Sequence, residues 1–416
     1  MFRNTVPAIA ALVLMVVSGP AQDKGAPTFD YKAPPHNYWE REPQDVFTAL
    51  LKKMTAGEVK LDTSSEHAFA RSLLAALDVP VSSQLLLYSA TSMQSERINA
   101  RNPRALYFNE DVYVGVVPGG LVEVLSIDPV LGGIFHVFSP PQPGVTPVAD
   151  RSTRCFNCHA TNATQRIPGL IAESVAPLPN GGSYESYRGK EQGHQIPIAD
   201  RFGGWHVTSA KPFGPSHEGA YAQTTPNGVK IVRIKPGEMS DLRKHLLTTS
   251  DILAHLVHEH QLGFDNRVIQ AAYLAREIES KGGTISADDQ RRLDDKAREL
   301  VRYVLFADEA KLPPGGIVGD QQFAKDFARN RKPAAGGAAL KDFDLKTRIF
   351  KHRCSYMIYT PQWQKMPELM KTRVYAGMKG ALSGKNRDFA YLPADERLRI
   401  VTILRETLPD LPPDWR

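Results

Sequence analysis

The chain has 416 residues, enough for two domains, and its 42% hydrophobic and 23% charged residues are the ordinary mixture of a folded globular protein. That mixture excludes a mainly disordered, collagen-like or coiled-coil chain. The 51 basic and 45 acidic residues give a formal charge of +6, but they are interspersed, so no block marks a nucleic-acid partner.

Residues 1–21 have the pattern of a secretory signal. Arg3 supplies a short positive start, and Val6 to Val17 is an apolar stretch too short to span a bilayer. Gly19-Pro20-Ala21 places small residues at a cleavage site. The expectation is export, into a bacterial periplasm, with no transmembrane span left in the mature chain. Gln22 to Pro43 reads as an extended, Pro-rich lead-in.

Helical spacing then predicts helices over Gln44–Met54 and Ser65–Leu77. The period changes at Ala105–Phe108, Val112–Val116, Leu121–Ile127 and Gly133–Phe138, which are short runs rich in Val, Ile, Tyr and Phe. Asn109-Glu110-Asp111, Pro118-Gly119-Gly120 and Asp128-Pro129 separate them, as turns of an antiparallel meander would. Strand-like pieces recur at Gly204–Thr208 and Val229–Ile234. From Ser250, a candidate N-cap, the chain becomes helical to Ser280. Ile252, Leu253, Leu256, Val257, His260, Phe264, Val268 and Ala271 share one face of this helix, with His255 and His258 on others. Ser286 starts a second helix, and two more follow near Pro367–Leu382 and Pro393–Leu408. The predicted class is α+β. It has an antiparallel meander within 22–240, followed by a mostly helical portion, 241–416.

Between the two lies Cys155-Phe156-Asn157-Cys158-His159, the spacing that attaches a c-type heme. Two thiols add across the two porphyrin vinyl groups, and the adjacent imidazole turns onto the iron. A dithiol redox pair calls for a strand-to-helix context, and structural zinc for two further ligands nearby. The chain has three cysteines, and the third, Cys354, lies far along it and reads as a buried thiol. One motif means one covalently attached heme c, with Cys155 and Cys158 as thioethers and His159 as proximal ligand.

The sixth ligand stays open at this level. His217, in the loop Gly214-Pro215-Ser216-His217, and inward-facing His260 are candidate distal ligands. Met239 is a third, and Met357, Met366, another residue or an open site complete the alternatives. Glu259 beside His260 is a weak acid–base pair. Arg97, Arg101, Arg104 and Arg154 are candidates to meet heme propionates.

The run Arg101-Asn102-Pro103-Arg104-Ala105-Leu106-Tyr107-Phe108-Asn109 is followed by Val112-Tyr113-Val114-Gly115, the heme motif, Gly203-Gly204-Trp205, His217 and Glu259-His260-Gln261. In these features the chain resembles a family of exported bacterial mono-heme cytochrome c domain proteins. The resemblance implies heme attachment at Cys155, Cys158 and His159 and supports His217 or His260 as a heme-pocket residue. It implies a cofactor class, not a reaction. The chain departs from the small soluble cytochrome c pattern, because its motif follows a meander and no Met occurs between Met93 and Met239. The expected function is single-electron transfer with a redox partner protein. The alternatives are a peroxidase-like heme oxidoreductase and a redox or gas sensor.

Overall fold

The computed structural model describes residues 28–90, 94–139 and 142–415. The expected export segment, 1–21, lies outside them. The strands are β1 (Leu85–Leu87), β2 (Arg104–Phe108), β3 (Val112–Val116), β4 (Val122–Asp128), β5 (Gly132–Phe138), β6 (Ala149–Arg151), β7 (Val175–Pro177), β8 (Ser183–Ser186), β9 (Trp205–His206), β10 (Ala220–Thr225) and β11 (Gly228–Arg233). The helices are α1 (Val46–Thr55), α2 (Glu66–Ala76), α3 (Phe156–His159), α4 (Ile252–Ser280), α5 (Ala287–Val304), α6 (Gln321–Phe327), α7 (Pro361–Gln364), α8 (Glu368–Leu382) and α9 (Ala394–Thr407).

The class is α+β, with a seven-stranded antiparallel sheet in the N-terminal half and a helical C-terminal half. Sheet order is β6-β5-β4-β3-β2-β1-β9. Its middle is the expected meander, and the turn chemistry explains why. Asn109 Oδ1 accepts from the backbone of Asp111 and Val112 between β2 and β3. Asp128 Oδ1 does the same for Val130 and Leu131 between β4 and β5. The outer strand β9 comes from much later in the chain and pairs Trp205 with Leu87.

Alternation along the strands gives the sheet two buried faces. Leu86, Tyr107, Val112, Val114, Val124 and Phe138 pack under α1 and α2, against Phe47, Phe69, Leu73 and Leu74. Leu85, Leu87, Phe108, Tyr113 and Phe135 point the other way and join the cluster built on α4. That cluster runs from Phe29 to Trp415, so it draws apolar residues from both 22–240 and 241–416.

Helix α4 departs from the amphipathic expectation. Every residue from Ile252 to Ala275 is buried, because the sheet lies on one side and α5 and α8 on the other. Its N-cap is Asp251, whose carboxylate accepts from Leu253 N. Ser250 has a different task. Its hydroxyl donates to the His206 carbonyl at 2.7 Å and accepts from Leu86 N at 2.9 Å, fastening the start of α4 to β1 and β9.

Several buried histidines are held neutral. Burial, then the charges at His67 and Lys244, pushes His245 down to about 4, and burial, then His245, pushes His206 down to about 4. The unfolded chain takes up these protons near the ordinary value of 6.5, the folded chain only near 4. Stability therefore falls as pH drops through that window. Replacing His245 with Gln removes one such group. The variant's stability relative to the parent, from denaturant midpoints, should rise by about 1–2 kcal/mol between about pH 7.5 and 4.5. A difference that stays constant with pH would contradict this.

Candidate functional site

The Cys155–His159 motif sits where the sheet ends. Ser152 N donates to Phe135 O at 2.8 Å, extending the β5–β6 pairing to the start of the motif. The chain then turns once as α3. Cys155 O accepts from Cys158 N at 3.2 Å and from His159 N at 2.9 Å. Residues three and four apart in such a turn share a face, so Cys155, Cys158 and His159 look the same way. Phe156 looks the other way, into Tyr31, Tyr38, Trp39 and Phe135, with ring centroids 4.9–5.3 Å away. That aromatic nest anchors the turn. Both thiols are free; Cys155 is half-buried and Cys158 exposed. Burial raises the Cys155 thiol, partly offset by a hydrogen bond with Ser152.

The shared face opens on a cleft of about 510 Å³ between the sheet and α4. Ligand sites commonly fall between about 300 and 1,000 Å³. Its apolar walls include Leu87, Leu106, Leu125 and Phe135 from the sheet, Trp205 from β9, and Leu262 from α4. Arg104, Glu123, Arg154 and Glu173 supply charge. Arg104 Nη1 lies 2.8 Å from Glu123, while its buried Nε has no partner among the described residues.

His159 is held in one orientation. Its Nδ1 donates to the Gly169 carbonyl at 2.9 Å, and Gly169 N donates back to the His159 carbonyl at 2.9 Å. Nε2 is thereby the nitrogen left for a ligand. This is the way metal-binding imidazoles are commonly oriented. Burial lowers the ring's pKa, against the raising effect of the Gly169 carbonyl, so the ring is neutral at neutral pH. The Gly169 segment is in turn clamped by α4. Leu170 N donates to Asn266 Oδ1 and Asn266 Nδ2 donates to Leu170 O, both at 2.8 Å. Gly169 admits no side chain, since a Cβ there would stand 2.6 Å from Asn266 Oδ1.

From α4, His258 lines the same cleft. Its ring is framed by Phe108, Tyr113 and Trp205, with centroids 5.3, 5.8 and 6.1 Å away. It makes no hydrogen bond with any described residue. Burial, then the charges of His255, Arg188 and Arg104, pushes its pKa down to about 3, so it too is a neutral donor.

The sequence candidates divide. Cys155, Cys158, His159, Arg104 and Arg154 line the cleft. His217 and His260 do not line it. His217 is stacked on Tyr187 at 3.5 Å. His260 spends both ring nitrogens inside the helical half, Nδ1 at 2.8 Å from His194 Nδ1 and Nε2 at 2.8 Å from Ser355 Oγ. Glu259 pairs with Arg201 at 2.7 Å. Met239 packs with Tyr88 and Tyr221, Arg97 and Arg101 are exposed, and Cys354 is fully buried with its thiol pushed up by burial. Among the described residues no group of three or more His, Cys, Asp or Glu side chains is placed to hold a bare metal ion.

No family model, curated protein or solved structure matches this chain.

His258 and Asn266 are the residues that sequence reasoning missed. The available signal was the lack of any Lys between Ile252 and Ser280, which marks a helix enclosed on all sides. Replacing Asn266 with Ala leaves the Leu170 N–H and carbonyl buried without partners. That should cost about 2–4 kcal/mol by chemical denaturation. Replacement with Ala at exposed Arg101 should stay within about 0.5 kcal/mol of the parent. Equal effects at the two positions would remove Asn266 from this role.

Proposed function

We propose that the protein is a mono-heme c-type cytochrome that carries single electrons outside the cytoplasm. One observation supports this above the others. The Cys155–Cys158–His159 face and the imidazole of His258, whose ring has no hydrogen-bond partner among the described residues, line one largely apolar cleft. A porphyrin needs such a slot, with sulfur attachment at one edge and a nitrogen donor above and below.

In this reading Cys155 and Cys158 would form the thioether bonds and His159 Nε2 would ligate the iron. His258, and not His217 or His260, would be the second iron-ligating residue. The bound heme supplies a one-electron iron couple. The chain supplies the rest. The Gly169 carbonyl fixes the His159 ring, and Leu87, Leu106, Leu125 and Phe135 exclude water from the slot. Arg104, with its free Nε, and Arg154 stand ready for propionates at the polar end. Two neutral imidazoles meet the protonation requirement of iron ligation without proton loss. No helix among the described residues is long and apolar enough to cross a membrane. The redox partner is a protein that brings or takes one electron at the exposed Cys158 edge.

The test is the absorption spectrum of the purified holoprotein, ferric and ferrous, with and without carbon monoxide. The parent should be low-spin and indifferent to carbon monoxide. His258→Ala should become high-spin and bind it, while His217→Ala and His260→Ala should keep the parental spectrum. A parent that is high-spin and binds carbon monoxide would instead favour a catalytic or sensing site.

A further inference from the structure

Behind the cleft, α4 encloses a second polar cluster that electron transfer by itself does not use. Tyr113 lines the cleft beside His258, and its hydroxyl lies 3.0 Å from Asp265 Oδ2 inside the protein. Asp265 is fully buried, and its Oδ1 has no hydrogen-bond partner among the described residues. Gln261 lies one turn back on the same face of α4. Its Oε1 also lacks a partner, as does Gln362 Oε1, and the hydroxyl of Tyr356 lies beside Gln261. All four side chains are more than nine-tenths buried. Buried polar atoms are seldom left unpaired, and such a concentration around one helical turn calls for water.

The cluster has an outlet. Gln261 also lines a separate cavity of about 220 Å³ on the other side, with Glu110, Asp111, Asn330 and Lys341 in its walls. A water takes about 30 Å³, so several fit. The ionisable groups around the two acids are few. Asp265 is faced by Tyr113 from β3, by Asp111 from the turn before it, and by Tyr356. Asp111 is faced by Glu110 and Lys341, which pair with each other, while Arg329 at the same cavity pairs with Asp78. Burial, helped by the charge of Asp111 and opposed by the hydrogen bond from Tyr113, holds Asp265 well above the usual carboxylate range, and burial, then Glu110, raises Asp111 to about 6. The two acids therefore oppose each other's ionisation.

We propose that Tyr113, Asp265, Gln261 and Asp111 line a hydrated proton path from the cleft to this second cavity, and that each electron entering the cleft draws one proton onto the Asp265–Asp111 pair. The proposal rests on the reading of the cleft as a heme site. The balance is simple. A one-electron donor protein reduces ferric iron to ferrous, one solvent proton enters past Asp111, and one carboxylate becomes a carboxyl. Reoxidation returns both. The physical reason is that an added charge inside a low-dielectric interior is costly unless an opposite charge follows it.

The experiment is a redox titration of the holoprotein across about pH 5 to 8, using dithionite as reductant and heme absorbance as readout. The parent's reduction potential should fall as pH rises. Asp265→Asn should flatten that slope while heme content and the low-spin spectrum stay parental. Asp111→Asn, at the more accessible end, should flatten it too, and it serves if Asp265→Asn does not fold. A parental potential independent of pH overturns the proposal. So does a slope that survives both substitutions, which would place the proton elsewhere and leave the heme reading intact. Protein without heme overturns both.

Discussion

The structure depends on enclosing α4 along almost its whole length. A helix in that position satisfies its own backbone, but every polar side chain it carries must find a partner or line a cavity. Most find partners. His255 meets Ser250 and the His206 carbonyl, His260 meets His194 and Ser355, Asn266 clamps Leu170, and Arg267 reaches the Gly263 carbonyl. The exceptions are informative. The ring of His258 opens on the cleft and makes no hydrogen bond with any described residue, and Asp265 and Gln261 keep unpaired oxygens, with Gln261 at the wall of the second cavity. The same helix thus bears the distal imidazole of the proposed heme site, the clamp on the carbonyl that orients His159, and the entry to the inferred proton path.

Much of the fold was legible from local chemistry. The meander followed from β-branched and aromatic runs cut by Asn109-Glu110-Asp111 and Asp128-Pro129, and its strands fall within a residue or so of their expected bounds. Ser65 and Ser286 cap α2 and α5 as their positions suggested. What local chemistry lacks is long-range pairing. Nothing in Leu85–Leu87 announces that it pairs with both β2 and the distant β9, and that contact brings Trp205 to the cleft.

The site was legible by half. Cys155, Cys158 and His159 are tied by one turn of chain, so their cooperation is written in their spacing. The part of the cleft that α4 lines is set by packing. Helical periodicity assigned His260 to an inward face, and it is indeed buried, but the inward side there faces the helical half. A helix buried on all sides has more than one inward face, and periodicity cannot choose among them. His258 faces the sheet because Phe108, Tyr113 and Trp205 do, and they belong to three different strands.

Covalent attachment of the porphyrin is the premise beneath the electron-transfer reading. Its most direct measurement is a pyridine hemochrome assay on protein matured with the c-type assembly machinery, combined with heme staining after denaturing electrophoresis. One heme per chain should remain on the denatured polypeptide and be lost when Cys155 and Cys158 are replaced with Ala. A denatured chain free of heme, or heme retained after both replacements, would contradict it.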